Sequence, residues 1–461
     1  MPWQTPTFAA QNTTATNDLT ADGYTWASAK PIVVDQYGKV ILIAQRENAG
    51  SKRNLFVVSN DNLATWTEPT RTSFADAAGE LAIERGAMAY DSVNDLVHVL
   101  WKAVDAADGM IYRRYSITRD GSNNITGFTR VSGINLQLDF QSAGSMVYEH
   151  PMIFWLSSGG AAGQLLCLWS ARNTAGSSNK NEIRASRRVL SNTTADNTAG
   201  NWVAPVSADT TGIGQSPAVA YSIVNQNNNG SIMYFAAGRK SAGTNAGDVY
   251  VCFYDAAATP AYRFRRMRWN SGASDWSTGL STATLVTNAV VAGTDTGYSL
   301  KYQCQAQVSE DTGSDGMIVG MPLWVSNGAG DSCCWFRIDN ADAVGSRVDA
   351  YSAGGAHSLF PTMDLHYDAG TGRVIVIYQK TTSEDFYLKT FTAAGTLDQG
   401  ETAVYTGIDL DVPLIYPGRF QTTKLLVAFR DHVGGAPPYD GYAGTMTFVD
   451  TSSGPRFYRR R

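Results

Sequence analysis

Ser59-Asn60-Asp61-Asn62-Leu63-Ala64-Thr65-Trp66 decides how this chain is read. It follows directly on the apolar run Asn54-Leu55-Phe56-Val57-Val58, which has the composition of a strand. Serine and aspartate side chains hydrogen-bond the backbone of a tight turn and hold it closed. The closing tryptophan carries enough apolar surface to seal that turn against the strands it joins. The spacing S-x-D-x-x-x-T-W therefore predicts a strand, a side-chain-pinned turn and a second strand. A turn of this kind fixes a hairpin; it does not by itself fix any chemistry.

The rest of the chain agrees with an all-β reading. Its 461 residues include 44 Gly, 22 Tyr and 11 Trp, with many Thr, Asn and Ser, a composition that favours short strands and polar turns. A core of this size needs no covalent staples. The five cysteines, at 167, 252, 304, 333 and 334, form no C-x-x-C pair. Cys167 and Cys252 sit in apolar strand patterns, so buried reduced thiols are expected, with a strained Cys333–Cys334 link as the alternative. Their spacing does not suit zinc, and Ser309 to Gly316 lacks the ligand order of a calcium loop. No metal and no cofactor is expected.

Net charge is −5, which makes a nucleic-acid partner unexpected. No run approaches the length of a membrane span. Met1-Pro2-Trp3-Gln4 lacks the basic start of an export signal and no apolar segment follows it. The expected setting is a virion, or the extracellular space reached without a signal peptide, with the cytoplasm as the alternative.

A repeat runs through the sequence. Proline precedes or enters an apolar run at Pro31, Pro151, Pro217, Pro361 and Pro413. The first and third of these intervals are about double the others, and Arg85-Gly86-Ala87-Met88-Ala89-Tyr90 and Tyr302-Gln303-Cys304-Gln305-Ala306-Gln307-Val308 supply the missing units. Each of the seven units has a strand, an Asp/Asn/Gly turn and a more hydrophobic second strand. Asp35-Gln36-Tyr37-Gly38 leads to Val40–Ala44, Asp91–Asp95 to Leu96–Trp101, and Asp368–Gly372 to Val374–Tyr378. Third and fourth strands follow. Four turn-linked antiparallel strands at this repeat length make a propeller blade, not a βαβ unit. The expected fold is all-β: a seven-bladed β-propeller of four-stranded antiparallel blades, with six blades the alternative. One domain is expected over 1–450, with blades near 24–72, 85–135, 148–206, 215–283, 300–350, 358–406 and 411–449. An N-terminal strand at 5–10 would close the ring, and 451–461 forms a basic tail.

The Ser59–Trp66 stretch, with Leu63 where the usual pattern has Gly, resembles the Asp-box (BNR repeat) of sialidase-like β-propellers. Ser59, Asp61, Thr65 and Trp66 are its structural residues. The resemblance implies that this turn lies on the face away from the ligand site. It also supplies a test, because sialidases of this fold begin with an Arg-Ile-Pro segment whose arginine clamps the substrate carboxylate. Here the matching residues are Ala29-Lys30-Pro31, and alanine cannot clamp. A non-sialidase member of the superfamily is therefore expected.

Second strands end in a basic residue with some regularity: Arg46, Lys102, Arg172, Arg239, Lys380 and Arg430, with Trp324 in unit five. In a propeller these positions would ring the channel mouth and favour an anionic ligand. The competing reading makes each cation an internal strut paired with Glu47, Glu84, Glu149, Asp411 or Asp431. His150 and His357 fall near first-strand starts, at the predicted mouth. These residues point to a non-catalytic structural or recognition protein that binds cell-surface glycans, anionic ones among them, such as a phage virion component contacting other virion proteins. The alternative is a glycan-active enzyme, either a degenerate glycoside hydrolase or a polysaccharide lyase.

Overall fold

The computed structural model of this chain describes residues 7–10, 32–48, 51–62, 65–71, 83–103, 109–131, 136–140, 146–156, 163–173, 180–188, 202–203, 221–227, 235–241, 243–255, 261–270, 275–277, 282–287, 307–311, 316–323, 331–353, 363–369, 371–380, 383, 385–405, 416–421, 424–432 and 439–447. All regular structure among them is β, and the strands fall into seven sheets in chain order. No helix among them is long and apolar enough to cross a membrane.

The second sheet shows the pattern most fully, pairing Ile83–Asp91, Leu96–Ala103, Gly109–Arg119 and Ile125–Arg130 consecutively and antiparallel. The fifth (Gln307–Asp311, Gly316–Leu323, Asp331–Ile338, Val348–Ala353) and sixth (Met363–Asp368, Arg373–Gln379, Phe386–Thr392, Leu397–Tyr405) repeat it. The first sheet has Ile32–Val34, Val40–Asn48 and Ser51–Ser59, with Thr67 bridging to Val58. In the seventh, Tyr416–Gln421, Lys424–His432 and Tyr439–Thr447 are joined by Thr7–Ala10, which pairs antiparallel with the last strand of the chain. First strands of successive sheets pack on one another from the first sheet to the seventh.

Two sheet assignments differ from the sequence reading: Thr70–Arg71, expected to end the first unit, pairs parallel with Ile125–Arg130 of the second sheet, and the fourth unit starts later than expected. Tyr221–Asn227, expected to lie in the fourth unit after the Ser216–Ala220 strand, pairs with Lys180–Arg188 at the outer edge of the third sheet. The fourth sheet begins instead with Phe235–Arg239, followed by Val249–Asp255 and Ala261–Asn270. The reason is compositional: Phe235 to Ala237 is apolar and buried, as an inner strand requires, whereas Ser222 and Asn225 to Asn227 suit a polar edge. Residues 216–220 lie outside the described residues.

The core lies between sheets. Ile41, Val58, Met88 and Trp101 fill the first junction, Leu100, Tyr112, Trp155 and Trp169 the second, and Leu166, Ile183, Val251 and Phe253 the third. Tyr250, Phe264, Met317 and Phe336 pack the fourth, and Trp335, Tyr351, Leu365 and Tyr378 the fifth. Strand alternation explains this layering, because odd and even positions of one strand face different neighbours. Cys333 and Cys334 accordingly enter different interfaces, which rules out the vicinal link. Close packing also fixes Gly320, where an added Cβ would collide with Leu365 and Met363 of the next sheet.

Aspartates shape the turns at one end of the sheets. Asp35 Oδ1 accepts from the Tyr37 and Lys39 amides at 2.9 and 2.7 Å, and Gly38 takes a φ of 74° that favours glycine. Asp91, Asp120, Asp339 and Asp368 hold their turns in similar ways. In the stretch that opened the reading, Asp61 accepts from Ser59 Oγ (3.0 Å), the Thr65 amide (2.8 Å) and Thr65 Oγ1 (2.5 Å), while Trp66 is buried. Asn60 adds what the pattern did not announce: its amide exchanges two hydrogen bonds with the Ile125 backbone of the second sheet.

Two arginines lock neighbouring sheets at this end. Arg119 of the second sheet reaches Asp35 of the first and its own Asp95, both at 2.7 Å, with Tyr37 4.6 Å beneath the guanidinium. Arg266 of the fourth sheet reaches Asp342 of the fifth at 2.9 Å and the Asn340 carbonyl at 3.2 Å, and stands 3.6 Å from Asp248.

Candidate functional site

At the junction of the fifth and sixth sheets the chain leaves an open groove of about 400 Å³, lined by Asp349 to Ser352, Lys380, Lys389 and Glu401. Such a volume lies within the range of small-ligand sites. Three strands and one strand end build it. Val348–Ala353 supplies Asp349 and Tyr351. Phe386–Thr392 supplies Lys389, which with Tyr387 alternates with the buried Phe386 and Leu388, so that both face the fifth sheet. Leu397–Tyr405 supplies Glu401, and Lys380 stands just beyond Arg373–Gln379.

The side chains form one connected set. Tyr378 donates its hydroxyl to Glu401 Oε2 at 2.7 Å, and Lys380 pairs with Glu401 Oε1. Lys380 also lies 4.0 Å above the Tyr387 ring, and Lys389 donates to the Ala350 carbonyl at 2.6 Å while standing 5.5 Å from the Tyr378 ring. Tyr351, Tyr378 and Tyr387 form a stack, with centroids 5.3 and 6.4 Å apart. Asp349 takes a 2.6 Å bond from Arg347 Nε. The charged tips remain accessible: Lys380 is 24% and Glu401 32% exposed.

Electrostatics set the chemistry. Burial pushes the Glu401 carboxyl up, but the bonds from Lys380 and Tyr378 outweigh it and hold the group below its usual range. Burial, then Glu401, drives the Tyr378 phenol well above its ordinary value, so it is a hydrogen-bond donor and not a nucleophile near neutral pH. Burial likewise raises Cys167 and Cys252, and Cys334 to about 12, which removes these thiols as nucleophiles. Among the described residues no group of three or more His, Cys, Asp or Glu side chains is placed to hold a metal ion.

The described residues place the side chains singled out by sequence as follows. Lys380 lines the groove. Lys102 and Arg172 lie in second strands, the first buried and the second half-buried. Arg46 and Arg430 also lie in second strands, with side chains outside the described ones, as are those of Glu47, Glu84, Glu149 and Asp431. Arg239 ends a first strand and enters a turn, so antiparallel pairing puts it at the opposite end from the other five; its guanidinium donates to the Trp155 carbonyl at 2.5 Å. His150 is 1% exposed inside a bulge of Met146–Leu156, with a φ of 53°. The bulge accommodates Pro151, which has no amide to give the ladder. His357, Trp324 and Asp411 lie outside the described residues. Sequence reading missed Tyr351, Tyr387, Lys389 and Glu401; only the Tyr387–Lys389 alternation signalled a shared face.

No family model matches the chain, and no curated protein matches its sequence. Among solved structures, a protein of unknown function from Dyadobacter fermentans is 12% identical, with 78% of this chain and 94% of that one covered at a TM-score of 0.45. An α-L-arabinanase from Penicillium chrysogenum, solved with arabinobiose, is 12% identical, with coverage of 76% and 90% at 0.41. Prolyl oligopeptidase B from Galerina marginata is 10% identical; 92% of this chain matches 52% of that one at 0.45. These likenesses are loose.

Proposed function

We propose that the chain is a seven-bladed β-propeller whose ring closes through Thr7–Ala10, and that it recognises glycans. Three features support the architecture: seven antiparallel sheets in chain order, first strands packed in succession, and the first described strand hydrogen-bonded to the last. Closure of this kind removes two open sheet edges. The observation that carries the functional reading is the groove, in which Tyr351, backed by the buried Tyr378, stands beside an accessible carboxylate–ammonium pair. Sugars present apolar ring faces and dense hydroxyls, and this lining offers one aromatic side chain, Tyr351, together with paired donors and acceptors. A glycan array probed with wild type and Tyr387→Ala tests it: retention by the wild type that the variant loses supports the reading, and equal retention removes the groove as the binding surface.

The second reading, a glycan-active enzyme, draws on Glu401 and Asp349 lining one cavity. Both carboxylates are already engaged, Glu401 by Lys380 and Tyr378 and Asp349 by Arg347, which favours binding over acid–base work. Assaying the same array for released product separates the two readings.

A further inference from the structure

The groove's charges decide which glycans it takes. Asp349 and Glu401 contribute two negative charges, and Lys380 and Lys389 two positive ones. Each cation already has a protein acceptor, Glu401 for Lys380 and the Ala350 carbonyl for Lys389, and each also lies near a tyrosine ring. An incoming sulfate or carboxylate would have to separate Lys380 from Glu401 and then sit beside two carboxylates, and the remaining nearby cation, Arg347, is already held by Asp349 at 2.6 Å.

A hydroxyl meets no such barrier. It donates and accepts at once, so it can bond a free lone pair of Glu401 and a spare proton of Lys380 while their pair stays intact. The carboxylate offers about four lone-pair directions and the ammonium three protons, so both retain capacity after binding each other. Two neighbouring hydroxyls on one sugar ring present the matching arrangement. Resting on the recognition reading above, we infer that this groove is selective for uncharged, polyhydroxylated saccharides and discriminates against sulfated and uronic-acid polymers. This narrows the expectation of an anionic ligand drawn from the row of strand-end cations.

Calorimetry on the intact chain tests the inference, with cello-, manno- and galacto-oligosaccharides as neutral probes and polygalacturonate and chondroitin sulfate as charged ones. A neutral probe is expected to bind with an affinity that hardly changes between low and high salt, because no net charge is neutralised. Glu401→Gln, which keeps the shape and leaves Lys380 without its acid, should weaken that probe by about tenfold and strengthen retention of the charged polymers. Tighter wild-type binding of a charged polymer, screened by salt and lost in Lys389→Met, would overturn the neutral preference while leaving glycan recognition standing. Binding of no probe overturns both.

Discussion

The junction between the first two sheets and the junction between the fifth and sixth are made from the same parts: cations, carboxylates and a tyrosine ring under a positive charge. At the first, Arg119 is 10% exposed and Asp35 not at all. Burial opposes the charge of Asp95, but the Arg119 bond outweighs it and the carboxyl titrates below its usual range. At the other, Lys380 and Glu401 keep their tips in solvent beside an open volume. A planar guanidinium satisfies two acids at once and fills the space between sheets, whereas an ammonium on a flexible stem meets one acid and leaves the space unfilled. Whether a strand-end cation becomes a buried strut or keeps its tip in solvent is thus decided by how the neighbouring sheet closes over it.

Breaking the closed junction should have the largest effect. Arg119→Ala strands Asp35 and Asp95 without their shared partner, and is expected to destabilise the chain by about 3 kcal/mol, as for other buried pairs that lose one member. Urea denaturation measures this; a loss below about 1 kcal/mol would class the junction with ordinary surface pairs.

The Arg266 junction sharpens the contrast, because it is sealed yet imperfectly paired. Asp248 is 2% exposed. Burial dominates the amide bond from Trp269 and the nearby Arg266 and Lys240 charges, and lifts its pKa to about 6. The unfolded carboxyl titrates near 3.8, so between these values the folded chain holds a proton that the unfolded chain releases. Stability should therefore fall as pH rises from about 4 to about 6, by up to roughly 3 kcal/mol. Asp248→Asn should flatten that slope. Carboxyls held low, such as Asp95, act in the opposite sense and in a lower window, losing their contribution only as pH drops through their depressed values. Denaturation curves for both proteins across the window, if parallel, would show that Asp248 does not carry this dependence.

These junctions also show what a sequence can disclose. The aspartate turns were legible because an Asx turn is a local matter: Asp35, Asp91 and Asp368 each hold residues within four positions of themselves. Thr7–Ala10 was legible because the last unit lacked a strand and one apolar run remained. The groove was not, since Tyr351, Lys380 and Glu401 are brought together only by sheet packing and no short spacing connects them. Arg239 was misplaced for a related reason. Its strand looked like a second strand, and only the pairing of Tyr221–Asn227 with the third sheet reveals it as a first. His150 read as a mouth residue because sequence shows the proline beside it but not the bulge that buries the imidazole.

At the open junction, effects should appear in binding before stability. Tyr387→Ala removes a half-buried ring at the groove's edge and is expected to lower affinity for a bound saccharide by about tenfold, in line with the loss of one aromatic contact. Its melting temperature should move far less than that of Arg119→Ala. The reverse order, with a large thermal shift and unchanged affinity, would make the fifth–sixth junction a strut like the first.

The smallest effect should come from Lys380 itself. Its pair with Glu401 is partly exposed and screened, so Lys380→Ala is expected to change stability by less than about 1 kcal/mol, against about 3 for Arg119→Ala. The change should instead appear in the carboxyl it leaves behind. With Lys380 gone, burial is opposed mainly by the Tyr378 hydroxyl, and the Glu401 titration should move up toward or past the usual carboxylate range. Side-chain NMR of Glu401 in the variant reads this directly. An unmoved titration would mean that Tyr378 alone holds the charge, and that the ammonium is free to serve a ligand and not the fold.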